Sequence, residues 1–222
     1  VEHDPANAGG EVVIINTCAF IGDAKEESID TILDFARAKN DGQIEKLFVM
    51  GCLSERYLGQ LGQELPEVDK FYGKFNWDEL IADLGESYRP DLSNERTLTT
   101  PSHFAYLKVS EGCNRTCSYC AIPIITGKHV SRSIESLTEE ARLLAEKGVK
   151  ELQVIAQDLS YYGRDLYKKS MLAPLVDQLS QIQGIEWIRL HYAYPAGFPK
   201  DVLDVMAQNP KVCAYMDIAL QH

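Results

Sequence analysis

Cys113, Cys117 and Cys120 constrain this chain more than any other feature. They stand in the run Glu111-Gly-Cys-Asn-Arg-Thr-Cys-Ser-Tyr-Cys-Ala-Ile-Pro123, a C-x3-C-x2-C spacing directly after the strand-like stretch Phe104 to Val109. Three thiolates within eight residues converge on one small object, and soft sulfur ligands suit an iron–sulfur cluster or zinc. A structural zinc site closes with four ligands, and no fourth Cys or His lies nearby in a matching pattern. A cubane cluster held by three cysteines leaves one iron open to a substrate or cofactor, which points to chemistry rather than to a staple. The alternatives are a zinc knuckle and a redox-sensitive thiol group.

The remaining sequence predicts alternating strands and helices. Val12-Val-Ile-Ile15 is a β-branched run of the kind found in buried parallel strands, and Leu47-Phe-Val-Met50 is a second. Between them Asp23 and Glu26 suggest a capping-box-like helix start, with Ile29, Ile32, Leu33 and Ala36 at helical spacing. A further amphipathic stretch begins near Ser54. This βαβ order predicts a doubly wound parallel sheet over residues 1–86. Residues 87–101, polar and carrying Pro90 and Pro101, read as a linker.

Residues 102–222 read as a second domain, a (β/α) barrel cut short. Ser136-Leu-Thr-Glu139 is a capping box opening a helix that Gly148 stops. Strands are expected over Glu151–Ala156, Ile185–His191 and Ala214–Leu220, and helices over Leu172–Ile182 and Lys200–Ala207. The chain opens without a start methionine and ends straight after a strand-like run, so it reads as part of a longer protein.

In parallel α/β folds the loops beyond the strand C-termini form the active face. The cysteine loop follows the first barrel strand. Gln157 and Asp158 follow the second, His191, Tyr192 and Tyr194 the third, and Gln221 and His222 the fourth. Strand-end Tyr and His residues commonly serve packing; Gln157 and Asp158 are stronger candidates, because neither suits a buried strand end without a polar partner. Lys128, His129 and Arg132 follow the cysteine loop and offer cations. Cys18 and Cys52 each follow a strand of the first domain, where two thiols serve equally as small hydrophobes. Cys213 reads as structural. No G-x-G-x-x-G or P-loop pattern is present.

The six cysteines are too few for a disulfide framework and predict a reducing, cytoplasmic setting. No apolar run approaches a membrane span. The formal charge of −11 argues against a generic nucleic-acid binder. All of that excess lies in residues 1–100, with 20 acidic and 9 basic side chains; residues 101–222 carry 13 of each.

C-x3-C-x2-C with Tyr119 before its last cysteine resembles the radical S-adenosylmethionine (SAM) enzymes. Asn16-Thr-Cys18 and Gly51-Cys52 resemble the N-terminal domain of the methylthiotransferases, a family within that superfamily. The resemblance implies a 4Fe–4S cluster on Cys113, Cys117 and Cys120, whose open iron binds SAM and generates a deoxyadenosyl radical. It implies a second 4Fe–4S cluster with Cys18 and Cys52 among its ligands, the third being absent from this chain. It places Tyr119, Ile122, Pro123, Gln157, Asp158 and Arg132 around the cofactor.

Within the family, the runs Cys120-Ala-Ile-Pro123, Gly127-Lys-His-Val-Ser-Arg132, Ile155-Ala-Gln-Asp-Leu-Ser-Tyr-Tyr-Gly163 and Arg189-Leu-His-Tyr-Ala-Tyr-Pro195 resemble the RimO type. That branch modifies the β-carbon of an aspartate in the twelfth protein of the small ribosomal subunit. The sister MiaB type, which modifies a tRNA adenosine, is the alternative. The implied partners are a ribosomal protein, an electron donor and a sulfur source.

Overall fold

The computed structural model describes residues 11–89, 94 and 96–219. By internal contacts the chain divides into two units: residues 1–88 with Tyr119–Thr126, and residues 89–118 with 127–222.

The first unit is a parallel sheet with strand order β1-β2-β3, where β1 is Val12–Thr17, β2 Lys46–Gly51 and β3 Lys70–Phe71. Helix α1 (Gly22–Asn40) joins the first pair and α2 (Cys52–Glu64) the second, and α3 (Trp77–Asp83) follows β3. Side chains alternate across a strand, so β2 supplies two cores. Leu47 and Val49 pack with Ile32 and Ala36 of α1 and Leu53 and Leu61 of α2. Phe48 and Met50 pack on the other face with Tyr72 and Leu80. Both faces of β2 are thus covered, as in a doubly wound sheet.

The strands follow the expected β-branched runs with one difference. Val12 and Ile14 are exposed: they share the sheet face of Phe48 and Met50, where the cluster with Tyr72 and Leu80 includes no β1 residue. Helix α1 begins at Gly22 with Ile21 at its N-cap and no side-chain cap bond, which corrects the assignment of Asp23 as the cap. Asp23 sits inside the first turn, where its charge favours the helix dipole. Ile32 and Ala36 are buried, but Ile29 is exposed and Ser28 takes its place on the inner face. Helix α2 begins at Cys52, before the expected start at Ser54.

The second unit is a four-stranded, fully parallel sheet in sequential order: β4 (Phe104–Lys108), β7 (Glu151–Ile155), β8 (Trp187–Ala193) and β9 (Val212–Ile218). Helices α5 (Ile134–Glu146), α6 (Leu172–Ser180) and α7 (Asp201–Gln208) make the crossovers. Leu107, Leu152, Val154, Ile188 and Leu190 form one core with Leu137, Ala141 and Leu144 of α5 and Leu175, Val176 and Leu179 of α6. Each fully buried Leu or Ile contributes about 1.5–3 kcal/mol relative to exposure. The arrangement is that of a partial (β/α) barrel.

Helix α5 is capped by Ser133, whose hydroxyl accepts the Ser136 N–H at 3.2 Å, so Ser136 is the third residue of the helix rather than its cap. Gly148, at φ +94°, ends it as expected. Between β4 and α5 the chain forms β5 (Ser110–Glu111), the cysteine loop, the short helix α4 (Ile122–Thr126) and β6 (Val130–Ser131). Strands β5 and β6 pair antiparallel and close the base of this excursion. Among the described residues no helix is long and apolar enough to cross a membrane.

Candidate functional site

The cysteine loop starts where sterics permit little choice. Gly112 has φ +76°, and a β-carbon there would overlap the Lys128 carbonyl. That close approach lets Cys113 N–H donate to the Gly127 carbonyl at 3.2 Å. One residue on, Asn114 Oδ1 accepts the His129 N–H at 3.0 Å. The Arg115 N–H points at Cys113 Sγ, 3.4 Å away. Cys113, Cys117 and Cys120 are all partly exposed, and none of the six cysteines forms a disulfide. Among the described residues no three His, Cys, Asp or Glu side chains are gathered closely enough to hold a metal ion.

Arg115 was not singled out in the sequence, yet it is the best-anchored side chain of the loop. Its Nε donates to Asp158 Oδ2 at 2.8 Å and its Nη2 to the Ala196 carbonyl at 2.9 Å. Its guanidinium carbon lies 3.9 Å from the centroid of the Tyr194 ring. Asp158 is 2% exposed, and its Oδ1 caps the 3-10 turn Leu159–Tyr161 through the Ser160 N–H. The sequence placed Asp158 beside a cofactor; in the structure its oxygens accept from Arg115 and Ser160. The only signal for the pair was a cation inside the cysteine run and an acid at a strand end.

Gln157 stands at the expected strand end, with Nε2 donating to Glu111 Oε1 at 2.5 Å and Oε1 buried without a hydrogen-bond partner. Arg132, expected as a cation for the cofactor, is held by four protein groups. Its guanidinium bonds Glu140 Oε2 at 2.5 Å, the Lys108 carbonyl at 3.1 Å, Asn94 Oδ1 at 2.9 Å and Ser136 Oγ at 3.1 Å. The cause is Glu140, which is 5% exposed and therefore needs a cation. Lys128 is exposed.

His129 is buried, with Nε2 3.1 Å from Ser131 Oγ and its ring 5.0 Å from that of Tyr161. Burial pushes its pKa below the ordinary value, against the pull of Asp165 and Asp158. Asp165 accepts from the Ser131 hydroxyl at 2.6 Å and the Ser131 N–H at 2.8 Å. Burial raises the Asp165 pKa, but these bonds outweigh it and hold the carboxyl below its usual range.

His191 Nδ1 lies 3.7 Å from Asp217 Oδ2, with the Tyr192 and Tyr215 rings nearby. Tyr192 takes a positive φ of 62°, rare for a side-chain-bearing residue. Gln221 and His222 lie outside the described residues. Tyr119 is 76% exposed, while Ile122 and Pro123 are half-buried at the start of α4.

In the first unit, β1 and β2 pair with Thr17 opposite Gly51, so Cys18 and Cys52 each come one residue after the last paired position. Thr17 Oγ1 donates to the Met50 carbonyl at 2.6 Å. Ser28 Oγ accepts the Cys18 N–H at 3.0 Å and so ties that loop to α1. The parallel register thus brings both thiol-bearing loops to one end of the sheet.

Residues 107–222 match the model of the Radical SAM superfamily, and residues 1–73 match that of Uncharacterized protein family UPF0004. A relative named ribosomal protein uS12 methylthiotransferase RimO, from Bacteroides thetaiotaomicron, is 65% identical over the whole chain and 51% of its own length. Proteins of the same name from Phocaeicola vulgatus (61% over the whole chain and 51% of its own length) and Flavobacterium psychrophilum (56% over 96% of this chain and 49% of its own length) are also similar. The chain spans about half the length of the curated relatives it matches.

Among solved structures, the radical S-adenosylmethionine methyltransferase TsrM of Kitasatospora setae, with cobalamin and a 4Fe–4S cluster bound, aligns with TM-score 0.64 and 12% identity. The alignment covers 95% of this chain and 49% of that one, a likeness of fold. With more than half of its residues, from β4 onward, matched to one family model, this chain belongs to the radical SAM superfamily.

Proposed function

We propose that the protein to which this chain belongs is a methylthiotransferase acting on ribosomal protein uS12. The observation that carries this reading is 65% identity over all 222 residues to a relative of that name, with the cysteine run intact. Cys113, Cys117 and Cys120 would hold a 4Fe–4S cluster. The donor set fits: three soft thiols without disulfides, and a backbone N–H already aimed at Cys113 Sγ. Bound there, such a cluster with SAM supplies one-electron chemistry able to break a C–H bond.

The chain's own residues bind and orient. The β5/β6 ladder closes the base of the loop, Gly112 allows its tight turn, and the Gln157 carbonyl oxygen offers a buried acceptor to a donor group of the cofactor. Tyr119, Ile122 and Pro123 would line the SAM site. Cys18 and Cys52 would be two of the ligands of a second cluster, the sulfur-delivering one. The net change is replacement of a C–H bond on the β-carbon of an aspartate by a C–S bond carrying a methyl group. An electron donor and a sulfur source are needed, and a thiolate-held cluster suits the reducing conditions of the cytoplasm.

The test offers uS12 and tRNA together to the full-length protein, reconstituted without oxygen and supplied with SAM, reductant and sulfide. Mass spectrometry then reads the methylthio increment. An increment on an aspartate peptide of uS12 is expected; an increment confined to a tRNA nucleoside would transfer the protein to the sister branch.

A further inference from the structure

Arg115 enters a receptor built by two strand-end loops of the second unit. Asp158 provides a buried carboxylate at 2.8 Å, Ala196 a carbonyl at 2.9 Å and Tyr194 an aromatic face at 3.9 Å. The receptor is itself braced. Ser160 Oγ donates to the Tyr194 carbonyl at 2.9 Å and accepts the Tyr194 N–H at 2.8 Å, while Asp158 Oδ1 accepts the Ser160 N–H at 3.0 Å. A planar guanidinium is suited to such a place, because one rigid group pairs with the acid, bonds the carbonyl and stacks on the ring. A buried carboxylate in turn demands its cation. The backbone of the same residue donates to Cys113 Sγ, and N–H donors to ligand sulfurs tune a metal centre.

We propose that Arg115 is a positioning residue for the cluster loop. Asp158, Tyr194 and Ala196 hold its side chain, so that the loop presents Cys113 and Cys117 in one geometry and keeps an N–H on the Cys113 sulfur. Asp158 then serves the cluster through Arg115 rather than by touching it. The inference rests on the reading of these cysteines as cluster ligands.

The experiment uses the protein in a Cys18→Ser, Cys52→Ser background, reconstituted with iron and sulfide without oxygen. Iron release to a chelator and the electron paramagnetic resonance spectrum of the reduced cluster, with and without SAM, are compared for the parent and Arg115→Ala. Iron release about tenfold faster or more is expected, together with a shifted spectrum. A parent that takes up no iron overturns the cluster reading itself. A parent that loads, with Arg115→Ala matching it in release and spectrum, overturns the positioning role alone. Faster release with an unmoved spectrum reduces Arg115 to a structural residue and overturns the role as well. If Arg115→Ala does not fold, Arg115→Lys decides. Lysine keeps the charge facing Asp158 but loses the planar stack, so release several-fold faster with a shifted spectrum is expected, and parent-like behaviour overturns the proposal.

Discussion

Gly51 pairs with Thr17 across β1 and β2, and a β-carbon on Gly51 would stand 2.6 Å from the Thr17 carbonyl oxygen and 2.5 Å from Asn16 Oδ1. Gly51 also has φ +103° and ψ −160°, a region open to glycine alone. Gly51→Ala therefore meets strain and overlap together. A loss of about 1–3 kcal/mol from the strain alone is expected in urea denaturation followed by circular dichroism. An unchanged midpoint would show that the backbone at Gly51 accommodates a β-carbon without strain.

Cys117 stands in the middle of the proposed ligand set. Anaerobic reconstitution of the 222-residue chain is expected to load about one 4Fe–4S cluster, since one three-cysteine set is complete in it. Cys117→Ala should abolish that loading, as read by iron analysis and absorbance. A cluster that survives the change would remove Cys117 from the ligands.

His129 carries a pH dependence. Burial holds its folded-state pKa below the ordinary histidine value of 6.5, although Asp165 and Asp158 oppose this. Below pH 6.5 the unfolded chain therefore binds more protons at this position than the folded one, so stability rises with pH there. The His129 contribution is complete above 6.5 and is lost as pH falls from there through the depressed folded value. Denaturation midpoints measured across this window should fall with acidification, and His129→Gln should flatten that part of the curve. Parallel curves for the two proteins would disprove the assignment.

Ser133 caps α5 through the Ser136 N–H at 3.2 Å. Ser133→Ala should cost about 1 kcal/mol, whereas Ser136→Ala should leave the cap bond intact, because only its backbone takes part, and lose only the Arg132 bond to its hydroxyl. Thermal unfolding reads the loss; a Ser133→Ala protein as stable as the parent would remove Ser133 as the cap.

Most regular elements were legible because their signals are local. β-branched runs marked β1 and β2, apolar spacing marked α1, and a capping motif with Gly148 marked α5. The helix starts were not, since Asp23, Ser133 and Ser136 all belong to capping residue types and only backbone geometry chooses among them. β3 has two residues and α3 seven, too short for a period to register. At the site, the cysteines announced themselves by spacing. Arg132 looked available in sequence, yet buried Glu140 claims it, while Arg115 looked unremarkable and became the anchor.

The sequence alone determined the thiol-rich loop, its place after a strand, and the parallel alternation on both sides of it, because each is written in spacings of a few residues. Tertiary structure decided which side chains those loops meet. The Arg115–Asp158 pair spans 43 positions, and Thr17 meets Gly51 only through the parallel register of β1 and β2. Such partners depend on how strands align and where buried charges find their counterions, and no local pattern encodes either.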